Sequence, residues 1–192
     1  LRASTPTCST SRGWRCCADL KAPFTVRARW AAAVVHGGEL EIDGIVAGHL
    51  QLGGGVGYTH AVLDANAPNL GGLEGQQLEN VPLWNANASA KYLFVPMPGY
   101  DAFVRADGQY VGESYPDFDR TDPATFQRAY ALMDLRSGLL HDAWEVDLFM
   151  TNVFDKQAAL SEFLSDNYSA TTRVRMFTNQ PRTTGLSLRW KF

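Results

Sequence analysis

The chain closes on Arg182-Thr-Thr-Gly-Leu-Ser-Leu-Arg-Trp-Lys-Phe192. From Gly185 onward the alternation is strict. Leu186, Leu188, Trp190 and Phe192 fall on one face, and Gly185, Ser187, Arg189 and Lys191 on the other. Successive side chains of a strand point to opposite sides, so this strand has an apolar face and a charged one. A soluble sheet can use such a strand at an edge. An aromatic at the very tip instead fits a membrane-spanning β-barrel, with Leu and Trp toward lipid and Ser, Arg and Lys toward the lumen.

Composition is compatible with that reading. The 192 residues suffice for one sizeable domain, and a net charge of −3 leaves no nucleic-acid footprint. No apolar run approaches the roughly eighteen residues of a membrane helix. A barrel does not need one, because only alternate residues must be apolar. Aromatic residues make up 11% of the chain, and many fall near expected strand ends, as interfacial girdles require. The three cysteines, Cys8, Cys16 and Cys17, crowd the N-terminus with Arg2, Arg12, Arg15 and Arg27, beside a Ser/Thr-rich run. That shift in composition marks a boundary near His36. Residues 1–35 are expected to stand apart from 36–192, as a frame-shifted stretch or a poorly ordered tail. They have neither the apolar core of a signal peptide nor the C-x-x-C spacing of a zinc site.

From Gly38 the pattern becomes regular. Strands are expected at about 38–46, 49–62, 83–95, 100–114, 128–138 and 143–153. A final region at 171–192 is interrupted by Pro181, and a further strand is possible in Phe24–Val35. The third is the clearest: Trp84, Ala86, Ala88, Ala90, Tyr92 and Phe94 oppose Asn85, Asn87, Ser89 and Lys91. The connections alternate short and long, as in outer-membrane barrels, where turns are short on the periplasmic side and loops long outside. A soluble sandwich has no reason to sort its loops in this way. The face opposite the apolar one carries Arg105, Asp107, Glu113, Asp134, Arg136, Glu145 and Asp147. A water-filled or plugged lumen accommodates such charges without stranding them away from water.

Several short stretches then fall in a recognisable order. They are Gly38-Glu39-Leu40-Glu41, Gly57-Tyr58-Thr59, Asn80-Val81-Pro82 before Trp84, and Phe103-Val104-Arg105-Ala106-Asp107 with Tyr110-Val111-Gly112. Trp144-Glu145-Val146-Asp147-Leu148-Phe149, Asn152-Val153-Phe154-Asp155-Lys156 and Pro181-Arg182-Thr183 follow, leading to Phe192. In this order, over about 38–192, the chain resembles the C-terminal part of TonB-dependent outer-membrane receptors. The resemblance implies an all-β, antiparallel, up-and-down transmembrane barrel segment of about seven to eight strands. It would be part of a barrel of about twenty-two strands with a plugged lumen. It also implies uptake of a scarce ligand, most plausibly a ferric siderophore or other iron complex. The implied partners are outer-membrane lipid, the barrel-assembly machinery reading Phe192, and the TonB complex acting through an N-terminal part. A signal peptide, TonB box and plug are not recognisable here. A partial barrel has open edges, so the chain by itself is not expected to transport.

No enzymatic chemistry stands out, and no cofactor or metal is implied. Gly53-Gly54-Gly55 lacks the Lys-Ser/Thr and helix of a phosphate loop. Asp117, Asp119 and Asp122 lack the Gly and closing Glu of a calcium loop. His36, His49, His60 and His141 are scattered, and the sequons at Asn87 and Asn167 carry little meaning in a bacterial outer membrane. The inward charges either line the path past a plug or pair across neighbouring strands, at roughly 0.2–1 kcal/mol each. Pairing is the preferred reading. Tyr115, Phe118 and Phe126, in a long outer loop, are the ligand-binding candidates, because aromatic rings there can stack on a chelate. Two other readings exist: a free-standing eight-stranded outer-membrane barrel acting as anchor or adhesin, and a soluble β-sandwich binding module. The small barrel requires Phe24–Val35 to pair with the last strand.

Overall fold

The alternating segments pair as antiparallel strands. The computed structural model describes residues 17–30, 33–118, 120, 126–165 and 173–191. The strands are β1 (Cys17–Trp30), β2 (Ala33–Val46), β3 (Leu50–Leu63), β4 (Trp84–Met97) and β5 (Tyr100–Val111). They continue with β6 (Tyr130–His141), β7 (Trp144–Thr151), β8 (Ala159–Ser165), β9 (Arg173–Thr178) and β10 (Thr183–Trp190). Eight of them form one meandering sheet in the order β1-β2-β3-β4-β5-β6-β7-β10, while β8 and β9 pair separately as a hairpin. Among the described residues β1 and β10 are the two edges, so the sheet does not close on itself. This corrects the eight-stranded alternative. Phe24–Val35 is not one strand but straddles β1 and β2, and β1 pairs with β2 at the edge away from β10.

Chemistry at the chain reversals sets the strand ends. Ala47 and Gly48 both have positive φ, 51° and 75°, which suits the right-handed twist of the strands they join. Pro98 precedes Gly99, whose φ of 84° fits a turn that glycine makes without steric cost. Asp142, with φ 48°, reverses the chain between β6 and β7. His141 ties two of these turns together. Its ring stacks on Tyr100 at 4.0 Å, and its Nδ1 lies 2.8 Å from the Gly99 carbonyl oxygen.

Some boundaries differ from the sequence expectation. Strand β2 starts at Ala33 rather than 38, because Val34 and Val35 find partners in Val62 and Ala61 of β3. Strand β5 stops at Val111, so Glu113 lies outside the ladder. Pro181 ends one strand and precedes the next, as expected of a residue without an N–H. The segment before it, β9, falls in the expected strand region 171–192 but pairs with β8, which lies in what reads as a connection. Pro96 sits in the irregularity between Phe94 and Met97, where a ladder tolerates it. The loop rhythm holds with one exception. The β1–β2 connection is short although it lies at the long-loop end, since Trp30 pairs directly with Ala33.

Register fixes the two faces across the whole sheet. Ile42↔Gly54, Ala86↔Tyr110, Leu139↔Val146 and Leu148↔Leu186 lie on one side, and Glu41↔Gly55, Ser89↔Asp107 and Glu145↔Arg189 on the other. The apolar side is uncovered: Leu186 and Leu188 are each 66% exposed. A water-soluble fold buries a continuous apolar face of this kind. Aromatic contacts mark two levels on the apolar side, Tyr58–Trp84 at one end and Tyr92–Phe94 toward the other. From Trp84 to Phe94 the strand rises about 34 Å, which a tilt of about 40° brings to roughly 26 Å, the height of a barrel's lipid-facing band.

Candidate functional site

Two regions carry polar chemistry: the inward face, and the loops gathered at one end of the sheet. Register places Arg105, Asp107, Asp134, Arg136, Glu145 and Asp147 together on the face opposite the apolar one, called here the inward face. Their partners are not always the residues directly opposite. Directly opposite positions hold like charges, Arg105↔Arg136 and Asp107↔Asp134, an arrangement that is destabilising unless each finds another partner. They find them along and across the strands. Arg105 grips Asp107 on its own strand through Nε and Nη2 at 2.7–2.9 Å, the fork geometry that makes arginine–carboxylate pairs strong. Arg136 reaches Asp147 at 3.4 Å. The carboxylate of Asp134 accepts the Asn152 N–H at 2.8 Å. Among the pairs named here, Arg189–Glu145, at 2.7 Å, sits at directly opposite positions of neighbouring strands.

Aromatic rings cover the gaps that glycine leaves in this wall. Phe103 is registered opposite Gly138 and Phe149 opposite Gly185. A Cβ added at Gly138 would collide with the Phe103 ring and stand 2.5 Å from Asp147 Oδ1. Lys91 closes the stack, with its ammonium 4.5 Å from the centre of the Phe103 ring. Asp147 is therefore packed under a ring, and its Oδ1 has no hydrogen-bond partner among the described residues.

The loops are knitted into one cluster. The first (64–83) and second (112–129) join where the Asn80 N–H donates to the Tyr115 carbonyl at 2.7 Å. Ser114 and Gln127 bridge through both backbone and side chains, with Ser114 Oγ donating to Gln127 Oε1 at 2.9 Å. Gln127 Nε2 reaches Asn80 Oδ1 at 3.4 Å, and Arg120 Nη2 reaches the Gln77 carbonyl at 3.3 Å. Of the three aromatic candidates, Tyr115 and Phe126 are half-buried with ring centres 5.1 Å apart. Phe118 is only 4% exposed and lies against Gly72, where an added Cβ would fall 3.2 Å from its ring. Its contact is with the first loop. Arg120, which sequence reasoning passed over, stacks its guanidinium 4.2 Å from the Tyr115 ring centre. No local motif distinguished it from any other loop arginine.

The third long connection begins at Asn152-Val153-Phe154-Asp155-Lys156, and its motif is structural. Asn152 and Asp155 both adopt positive φ, 49° and 51°, a conformation that Asn and Asp tolerate better than most residues. Asn152 Nδ2 donates to the carbonyls of Lys156 and Gln180 at 2.9 and 3.0 Å, and its Oδ1 accepts the Lys156 N–H at 2.9 Å. Asp155 Oδ1 accepts the Arg182 N–H at 2.9 Å. The motif thus pins both ends of the connection where β7 meets β10. Phe192, Asp119, Asp122, Cys8, Cys16 and Asn167 lie outside the described residues.

The comparisons with known proteins agree with this geometry. The family model described as TonB dependent receptor-like, beta-barrel, matches residues 2–153. Solved structures superpose on the chain. The ferric yersiniabactin uptake receptor FyuA from Yersinia pestis does so with TM-score 0.63 and 16% identity, over 88% of this chain and 29% of its own. The ferric-catecholate import receptor Fiu from E. coli K12 does so with TM-score 0.66 and 22% identity, over 83% of this chain and 21% of its own. The siderophore receptor PiuA from Acinetobacter baumannii gives TM-score 0.63 at 20% identity, over 83% of this chain and 22% of its own. The chain therefore spans less than a third of the length of these structures. No curated protein matches it.

Proposed function

Because this chain belongs to the TonB-dependent receptor β-barrel family, whose members are outer-membrane transporters rather than enzymes, we propose that it serves in the uptake of a ferric siderophore or similar iron complex. The observation that carries this reading is the single antiparallel sheet, apolar and uncovered on one face and charged on the other, with its three long loops gathered at one end. The sheet is open among the described residues, so the transporting unit in this proposal is a receptor whose barrel contains this segment. Energy would come from the TonB complex, and Phe192 would serve the barrel-insertion machinery as its recognition signal.

Ligand capture is assigned to the loop cluster. Tyr115 and Phe126 offer rings for a flat chelate, Arg120 adds a cation suited to an anionic complex, and Phe118 supports the loops beneath them. The inward charges are assigned to holding the wall together, since most are already paired. The test is uptake of radiolabelled iron by iron-starved cells producing the receptor that carries this segment. Uptake of the cognate ferric siderophore is expected to stop when the proton gradient is collapsed. Tyr115→Ala is expected to lower affinity about tenfold, a loss of about 1.4 kcal/mol, while leaving the protein in the outer membrane. Uptake that persists without the gradient, or that no ferric complex elicits, contradicts the proposal.

A further inference from the structure

We propose that the iron complex admitted past these loops carries little or no net negative charge, as a ferric trihydroxamate does, and that polyanionic chelates such as triscatecholates are excluded. This inference rests on the iron-uptake reading above and names the class of its ligand. Three hydroxamate groups cancel the charge of ferric iron, whereas three catecholates leave a trianion.

The inward wall is sorted by charge along its strands. Register sets Asp43, Asp107 and Asp134 in one row of β2, β5 and β6. The next two rows toward the long loops hold Glu41 and then Glu39. On β2 to β6 these three rows contain no Lys or Arg. Lys91, Arg105 and Arg136 form a separate row, about 7 Å deeper toward the short turns. Each of them is already met there. Lys91 lies over the Phe103 ring, Arg105 grips Asp107, and Arg136 reaches Asp147.

The loops above this wall repeat its sign. The first long loop contains Asp64, Glu74 and Glu79 and no Lys or Arg. The second adds Glu113 and Asp117 among its described residues, against Arg120 and Arg128. At the third connection Lys156 and Arg182 stand with Asp155. The Arg120 guanidinium is engaged with the Tyr115 ring and the Gln77 carbonyl, so it answers one anionic group and not three. Bonds between Asn80 and Tyr115 and between Ser114 and Gln127 hold the first two loops together, so their carboxylates act on one approach route. A passage lined by one sign of charge focuses its field and repels ligands of that sign. The screening length at physiological ionic strength is about 8 Å, no shorter than the step between rows, so salt does not erase that field.

The test is binding of radiolabelled iron complexes to chilled cells producing the receptor that carries this segment, so that transport does not contribute. The probes are a linear ferric trihydroxamate and a ferric triscatecholate. The trihydroxamate is expected to bind at least about tenfold more tightly. Glu74 and Glu79 are exposed, and joint Glu74→Lys and Glu79→Lys is expected to raise triscatecholate binding about tenfold. Trihydroxamate binding should then change by less than about twofold, which separates a charge effect from damaged loops. Added salt is expected to strengthen triscatecholate binding in the unaltered receptor by screening the repulsion. Equal or tighter binding of the triscatecholate, or no gain from the double charge reversal, overturns this inference and leaves the iron-uptake reading standing. Binding of neither complex overturns both.

Discussion

At the scale of single residues, the wall of this sheet depends on side chains that occupy the space glycine vacates. Gly138 is the sharpest case, because Phe103 and Asp147 both lie where its Cβ would be. Gly138→Ala is expected to cost about 1–3 kcal/mol through overpacking, read as a lower urea midpoint for the protein in lipid vesicles. In a Phe103→Ala background the same change should cost less by about 0.5–3 kcal/mol, the coupling of residues in contact. Equal costs in both backgrounds would show that the ring is not what excludes a side chain there. The charges beside them could be named from sequence, since alternation alone puts Arg105, Asp107, Arg136 and Asp147 on one face. Their partners could not. Arg105 faces Arg136 across the ladder and turns instead to Asp107 on its own strand, and that choice depends on a register that the sequence does not display.

At the scale of elements, the strands were legible and the ends of the connections were not. Strand β4 declares itself through its alternating Ala and Asn, and it runs only one residue short of the expected start and two past the expected end. Of the β8–β9 hairpin only the second arm was legible, as part of the expected strand region 171–192, because β8 falls in a segment that lacks strict alternation and reads as a connection. Asn152 is where that connection is fixed to the barrel. Its amide joins Lys156 and Gln180, and its backbone N–H joins Asp134. Asn152→Ala removes three side-chain hydrogen bonds and is expected to loosen the connection by about 1–3 kcal/mol. Proteases added to intact cells should then cleave within 155–182 much faster, with the barrel strands still protected. Asn152→Gly, which accepts the positive φ, should behave like the alanine variant if the side-chain bonds are what matter. Wild-type cleavage rates in both variants would sink that assignment.

At the scale of the whole molecule, the distribution of apolar and charged side chains is that of a sheet with lipid on one side and a polar lumen on the other. Membership of the TonB-dependent receptor family rests on the match over residues 2–153 and agrees with that distribution. The alternation in β10, the loop rhythm and the order of the short motifs all anticipated it. The loop cluster was less legible, because Phe118 joins loops distant in sequence and no local pattern tells a supporting ring from a ligand-facing one. The most direct test of the account is a single-cysteine scan of β4 from Trp84 to Phe94, in cells whose Cys8, Cys16 and Cys17 are replaced by serine. Positions 84, 86, 88, 90, 92 and 94 are expected to react only with a membrane-soluble thiol reagent, and the positions between them only with a water-soluble one. If the even positions react with the water-soluble reagent, or are shielded from both, the apolar face is not against lipid and the account fails.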